Sequence, residues 1–201
     1  MRLINYINES EDIPWDKIKK DCQPFIKDIK SPNDFLYSGR QTNEKFFTRK
    51  VRKNRVPTDT PEIIHNLLDD MFKKKFGHKL RSESLFVTKD VEIASGYGTP
   101  YIILPIGNYK LFGNPKIYDL YSYINGNFDL EEMIDFWTTE YIKPAKKEFI
   151  DNLQKVINKY KELQASKIGD YEVMLLTNEY YGIRIKNTED DFTTIFNQLK
   201  G

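Results

Sequence analysis

The sequence predicts an α+β fold in a single domain spanning residues 1–201, with a helical segment at the N-terminus and a helical insertion at about 129–165. Three observations predict it. Short β-branched and aromatic runs of strand length recur at 34–39, 84–88, 101–105 and 171–185. Amphipathic stripes at three-and-four spacing lie between them, and strands resume after the longest helical stretch. Thirteen Tyr and thirteen Phe against four Met supply bulky material for a packed core containing sheet rather than a simple bundle.

The elements follow in chain order. Trp15, Ile18, Cys22, Ile26 and Ile29 recur at helical spacing, and Pro24 splits them into a pair of short helices. Asp34-Phe35-Leu36-Tyr37-Ser38-Gly39 reads as a strand, followed at once by Arg40. Phe46-Phe47-Thr48 with Val51 gives a weaker strand. Thr60 stands as the cap of a helix carrying Ile63, Ile64, Leu67, Leu68, Met71 and Phe72, and Gly77 closes it. Ser84-Leu85-Phe86-Val87-Thr88 is a strand handing into a short helix capped by Asp90 and broken at Gly96. Tyr101-Ile102-Ile103-Leu104-Pro105 is a buried strand, and 106–109 turns away from it.

Asn125-Gly126-Asn127 reads as a turn before the insertion. There Leu130, Met133, Ile134, Trp137 and Tyr141 form one stripe among acidic residues. Phe149, Leu153, Val156, Ile157, Tyr160 and Leu163 form a second, read as core. Tyr171 to Leu176 is expected to pair as a hairpin with Tyr180 to Ile185. Thr188, with Asp191 three residues on, opens a closing helix.

Composition narrows the function classes. With 31 cations against 30 anions the net charge is +1, so attraction to a polyanion must be local rather than global. The one cysteine, Cys22, forms no intrachain disulfide and fits a reducing, cytoplasmic setting. No apolar run reaches transmembrane length, so no membrane partner is expected. Two isolated histidines beside one cysteine make no metal set. Lys45, Arg49, Lys50, Arg52, Lys53 and Arg55 form the strongest charge cluster, with no acid among residues 45–55. It reads either as a solvated loop or as a local phosphate-binding patch, with nucleic-acid contact through Arg49, Lys50, Arg52, Lys53 and Arg55.

Glycine-rich phosphate loops, nucleophile motifs and zinc-ligand spacings are absent, and one carboxylate is out of place. Glu172 opens an otherwise apolar strand two residues after Asp170, and alternation puts Asp170, Glu172 and Met174 on one face. An edge-strand acid facing solvent is one reading; a catalytic acid at a cleft is the other.

Three blocks in this order resemble ADP-ribosyltransferases: Leu36-Tyr37-Ser38-Gly39-Arg40, then Ser84 to Thr88 leading to Ala94-Ser95-Gly96-Tyr97-Gly98, then Asp170 to Leu176. The resemblance implies a split β-sheet core and NAD as substrate, without a metal. It implies transfer of ADP-ribose to a protein or nucleic-acid acceptor, a glycosyltransferase reaction. On that resemblance Glu172 stabilises the positive charge developing on the ribose, and Asp170 positions or deprotonates the acceptor. Arg40 pairs with the pyrophosphate, with Arg81 as a second phosphate contact. Thr88 or Ser84 holds the Glu172 carboxylate, and Tyr37 or Tyr97 stacks on nicotinamide. Two positions depart from the family pattern. Ser38 stands where the first motif has Arg, so Arg40 must serve from two residues on, and Thr88-Lys89-Asp90 replaces a Ser-Thr-Ser run. The alternative is therefore a catalytically inactive module of the same fold that binds nucleic acid or a protein through its basic patch. A third reading is an RNA-phosphate-processing enzyme on a related scaffold. The abundance of Lys, Asn, Ile and Tyr hints at an AT-rich genome, and the expected source is a phage or bacterium, with action in the host cytoplasm if phage-encoded.

Overall fold

The computed structural model describes residues 13–55, 60–128, 143–185 and 189–201. Helices α1 (Trp15–Asp21) and α2 (Gln23–Asp28) form the N-terminal pair, with Pro24 in the first turn of α2, where a missing N–H costs nothing. A short 3-10 turn leads into β1 (Tyr37–Arg40) and then β2 (Phe46–Lys50). Helix α3 (Glu62–Phe76) ends at Gly77, whose φ of 79° places it in the left-handed region that glycine tolerates. Next come α4 (Leu80–Glu83), β3 (Leu85–Val87), α5 (Val91–Gly96), β4 (Thr99–Pro105) and β5 (Lys110–Gly113). After α6 (Leu120–Asn127) and α7 (Lys143–Asn158), strands β6 (Lys161–Leu163), β7 (Val173–Leu176) and β8 (Glu179–Arg184) precede the closing α8 (Glu189–Lys200).

The strands make two antiparallel four-stranded sheets, ordered β1-β4-β8-β2 and β3-β7-β5-β6. An isolated bridge joins them: the Tyr37 N–H donates to the Thr88 carbonyl (2.7 Å) and the Thr88 N–H returns to Tyr37 (3.0 Å). Alternation sorts the second sheet between two apolar clusters. Leu85, Val87, Leu111, Val173 and Leu175 face a cluster shared with α1, α2 and the first sheet. Phe86, Phe112, Met174 and Leu176 face a cluster shared with α3, α6 and α7.

Several expectations need correction. The strands at 173–176 and 179–184 are no hairpin. β7 is hydrogen-bonded by β3 and β5, and β8 by β4 and β2, so neither keeps an edge for the other. The chain crosses between sheets at Thr177-Asn178, where the Thr177 hydroxyl lies within hydrogen-bond distance of the Glu179 and Ile106 carbonyls. The helical insertion ends at Asn158 rather than near 165, because Leu163 belongs to β6 and pairs with Leu111. Asn125 to Asn127 form the last turn of α6, which Asp119 caps by accepting from the Ser122 N–H (2.6 Å). Thr60 makes no cap: Pro61 takes that position, and the Thr60 hydroxyl accepts from Arg81 Nη2 at 3.2 Å. The first strand begins at Tyr37 because Pro32–Asp34 coils into the 3-10 turn. The acidic stripe expected at 130–141 and the Thr188 cap lie outside the described residues.

Backbone packing at the sheet junction yields a test. A Cβ on Gly39 would lie 2.0 Å from the Ala94 carbonyl oxygen and 2.8 Å from the Tyr97 carbonyl carbon, so α5 would have to move. Gly39→Ala is expected to destabilise by about 3 kcal/mol, the upper end of overpacking costs, lowering Tm by roughly 6–12 °C. Gly126→Ala, in α6 with nothing within 4 Å of its Cβ position, is expected to be neutral or slightly stabilising in the same melts.

Candidate functional site

The site begins with how α4 is held. The Asp69 carboxylate accepts from the backbone N–H groups of Arg81 (2.8 Å) and Ser82 (3.3 Å), and from the Ser82 hydroxyl. His65 Nε2 lies 2.9 Å from Ser82 Oγ. Because that hydroxyl donates to Asp69, the imidazole must be the donor to it, which places the proton on Nε2. His65 and Asp69 are both buried, and desolvation is the main cause that holds the His65 pKa below its ordinary value, despite Asp69. His65 and Asp69 thus fix the turn that presents Arg81.

Arg81 is 6% exposed, and its Nη2 bonds Thr60 while Nε and Nη1 have no hydrogen-bond partner. Its guanidinium carbon lies 5.5 Å from the Phe86 ring centroid. Arg55 approaches the same ring, at 4.2 Å. As a residue Arg55 is exposed, yet its guanidinium packs on Phe86, and its backbone N–H donates to the Ser82 carbonyl at 3.3 Å. Desolvation, then repulsion from Arg81 and Arg40, lowers its pKa, while Glu172 and Tyr97 act in the opposite sense. Arg40 reaches from the end of β1 over the Tyr180 ring (5.4 Å), with Nε and Nη2 buried and unpartnered. None of these three arginines closes an ion pair within 4.0 Å with a described carboxylate. Three guanidiniums sharing one locale with unused donors make a site suited to an anion.

Glu172 lies near two of them, Arg81 and Arg55. It directly precedes β7, is half-buried, and its N–H donates to the Tyr118 carbonyl at 2.7 Å. Desolvation pushes its carboxyl up to about 7 against the opposing pull of Arg81 and Arg55, and a hydrogen-bonded Asp119 carboxyl adds to the rise. Glu172 is no edge-strand acid, since β7 is flanked on both sides. The Tyr160 hydroxyl, buried nearby, is pushed well above its ordinary pKa chiefly by desolvation, with Glu172 next.

The remaining sequence-predicted residues divide. Tyr97 is 68% exposed and near enough to influence Arg55. Asp170 is exposed, and its charge is felt at Tyr118. Tyr37 is core, edge-on to Phe192 at 5.7 Å. Ser38 donates its hydroxyl to the Phe86 carbonyl (3.0 Å) and Ser84 donates to the Leu80 carbonyl. The Thr88 hydroxyl accepts from the Asp90 N–H (3.1 Å), which sets the start of α5. The hydrogen bonds of these three hydroxyls run to backbone and not to Glu172. The basic run also divides: Arg49 pairs with Glu44 (2.8 Å), Lys50 with Glu179 (3.7 Å), and Lys53 donates to the Thr177 carbonyl (3.5 Å). A concavity of about 520 Å³ lined by Lys50, Val51, Lys53, Ile106, Asn178 and Glu179 lies at the end of β7 opposite Glu172. Of the run, Arg55 is the residue whose charge is felt at Glu172, while Arg49 and Arg52 lie close enough to Arg40 to help lower its pKa. Sequence reasoning missed Asp119 and Tyr118; a helix-cap signal at Asp119 was available, masked by the poor helix formers Tyr, Ser, Asn and Gly after it.

Among the described residues no group of three or more His, Cys, Asp or Glu side chains is arranged to hold a metal ion, and no helix is long and apolar enough to cross a membrane. A scan against protein-family models, a search of curated proteins and a search of solved structures each return no match.

Glu172 holds its proton more tightly in the fold than in the unfolded chain, so its contribution falls as pH rises from about 4.5 toward 7. Glu172→Gln is therefore expected to gain stability relative to the parent chain across that window. Thermal melts at pH 4.5 and 8 measure the difference; an equal ΔTm at both would show that the carboxyl is not desolvated.

Proposed function

We propose that this chain is an NAD-dependent ADP-ribosyltransferase of the split-sheet type. The observation that carries the reading is Glu172, a carboxyl at the head of a central strand, half-buried beside arginines with unused donors. The two antiparallel sheets and the order of the three blocks along the chain support it. NAD supplies the ADP-ribosyl group, and the orphaned Nε and Nη2 of Arg40 fit a phosphate of its pyrophosphate. Glu172, ionised, faces the positive charge that develops on the ribose. Tyr97, exposed and near Arg55, is the aromatic that covers the nicotinamide ring, in preference to the core residue Tyr37. Asp170 takes the acceptor's proton as the acceptor's lone pair bonds to the ribose carbon and the nicotinamide nitrogen leaves with the old bonding pair. Asp119 tunes Glu172.

One observation favours the second reading, a catalytically silent binding module of the same fold. Ser38 stands where the family pattern has an arginine, and its hydroxyl is used structurally on Phe86. Incubation with labelled NAD separates the two. The transferase reading expects NAD cleavage that rises with pH up to about 7, as Glu172 ionises. Glu172→Gln is expected to lose ~10²-fold or more in rate, and Arg40→Gln to raise KM for NAD. Cleavage undiminished in Glu172→Gln would rule out the assigned mechanism, and no cleavage or NAD-induced thermal shift with the parent chain would favour the silent module.

A further inference from the structure

The Glu172 locale is polarised. On one side Arg81 and Arg55 share the Phe86 ring, and buried Arg81 keeps two donors unused. On the other, Tyr118 exposes 57% of its surface, within reach of the charges of Asp90 and Asp170. Its backbone carbonyl accepts from the Glu172 N–H, and the next residue, Asp119, is hydrogen-bonded to the Glu172 carboxyl, so this stretch of chain is tied to the candidate catalytic residue. Tyr97 and Tyr118 are the large hydrophobic side chains most open to solvent among the described residues. Soluble surfaces that expose aromatic rings next to arginines do so where flat, charged partners bind.

We propose that the acceptor bound here is a single-stranded nucleic acid, with a base stacked on Tyr118 and an adjacent phosphate on Arg55 and Arg81. A phosphate is a tetrahedral anion that accepts from forked guanidinium donors; exposed Arg55 presents one at the surface, and buried Arg81 on the same Phe86 ring keeps Nε and Nη1 unused. A base carries a neutral π-face for Tyr118 and N–H donors on its edge, and exposed Asp170 is an acceptor for such a donor. A duplex hides the faces and the Watson–Crick edges of its bases, so the single strand is the form that fits. The acid side would repel a second phosphate, which sets the direction in which the strand can lie. The assignment moves nucleic-acid contact from the 49–53 run, where Arg49 and Lys50 are paired with carboxylates, to the mouth of the Glu172 site. It names the substrate of the transferase reading, but its binding arm stands independently of NAD chemistry.

The test is anisotropy of a dye-labelled single-stranded oligonucleotide about twelve nucleotides long, within the usual site-size range, over a series of salt concentrations. Tyr118→Ala is expected to weaken binding ~10-fold or more. Arg55→Gln is expected to weaken it and to reduce the log–log salt slope by roughly 0.7. Both residues are exposed, so these variants should fold, as melts will verify; buried Arg81 is left intact. Lys74→Gln, on the exposed side of α3, should bind as the parent chain does. Equal binding by parent, Tyr118→Ala and Arg55→Gln overturns the proposal. So does retention of an acidic phosphopeptide with no oligonucleotide binding, or a duplex bound as tightly as the single strand. NAD consumption measured in parallel keeps the two readings apart. Variant-sensitive oligonucleotide binding without NAD cleavage removes the transferase and leaves the nucleotide surface, whereas NAD cleavage without oligonucleotide binding does the reverse.

Discussion

Two backbone hydrogen bonds between Tyr37 and Thr88 tie the two sheets together, and the site depends on where that seam falls. One residue on from Tyr37, Ser38 bonds the Phe86 carbonyl across the seam, and two on from Thr88, Asp90 caps the start of α5, which ends at its C-cap, Tyr97. Gly39 and Gly98 allow β1 and the end of α5 to approach at backbone distance, and no side chain fits there. A one-residue slip of β3 against β7, where Phe86 stands opposite Met174, would turn Phe86 to the other face and remove the platform shared by Arg55 and Arg81. The site's geometry is thus a consequence of register.

Around that seam the electrostatics are unbalanced by design of the packing rather than by net charge. The whole chain carries +1, yet Arg40 and Arg81 are brought near Arg55, and Arg55 and Arg81 near Glu172, whose carboxyl is raised toward neutrality by desolvation and Asp119. Bringing like charges together and leaving guanidinium donors unused costs free energy that folding must supply elsewhere, here from two apolar clusters and the Asp69–Ser82–His65 network under α4. Such local imbalance supported by a stable scaffold is what a binding site requires.

Much of this was legible in the chain, for identifiable reasons. Glu172 stood out because it opens an otherwise apolar run, and Asp90 and Gly77 because caps have local chemistry. Arg55 hid inside a run of cations whose ordinary fate is solvent, and nothing in sequence separates it from Arg49, which pairs with Glu44. Thr60 looked like a helix cap because its neighbours fit that pattern; its hydroxyl instead holds Arg81, twenty-one residues on.

The sequence by itself determined an α+β chain with its strands and helices largely in place, a carboxylate at the head of an apolar run, and one dense run of cations at 45–55. These are properties of periodicity, capping and composition, which act over a few residues. Tertiary structure alone decided that β7 and β8 lie in different sheets, because strand partners are chosen by which edges remain open after long-range pairing. It also decided that Thr88 and Ser84 turn to backbone while Asp119 and Tyr118 come to Glu172. Those neighbours are some fifty residues away along the chain, and only the closing of the two sheets brings them within reach.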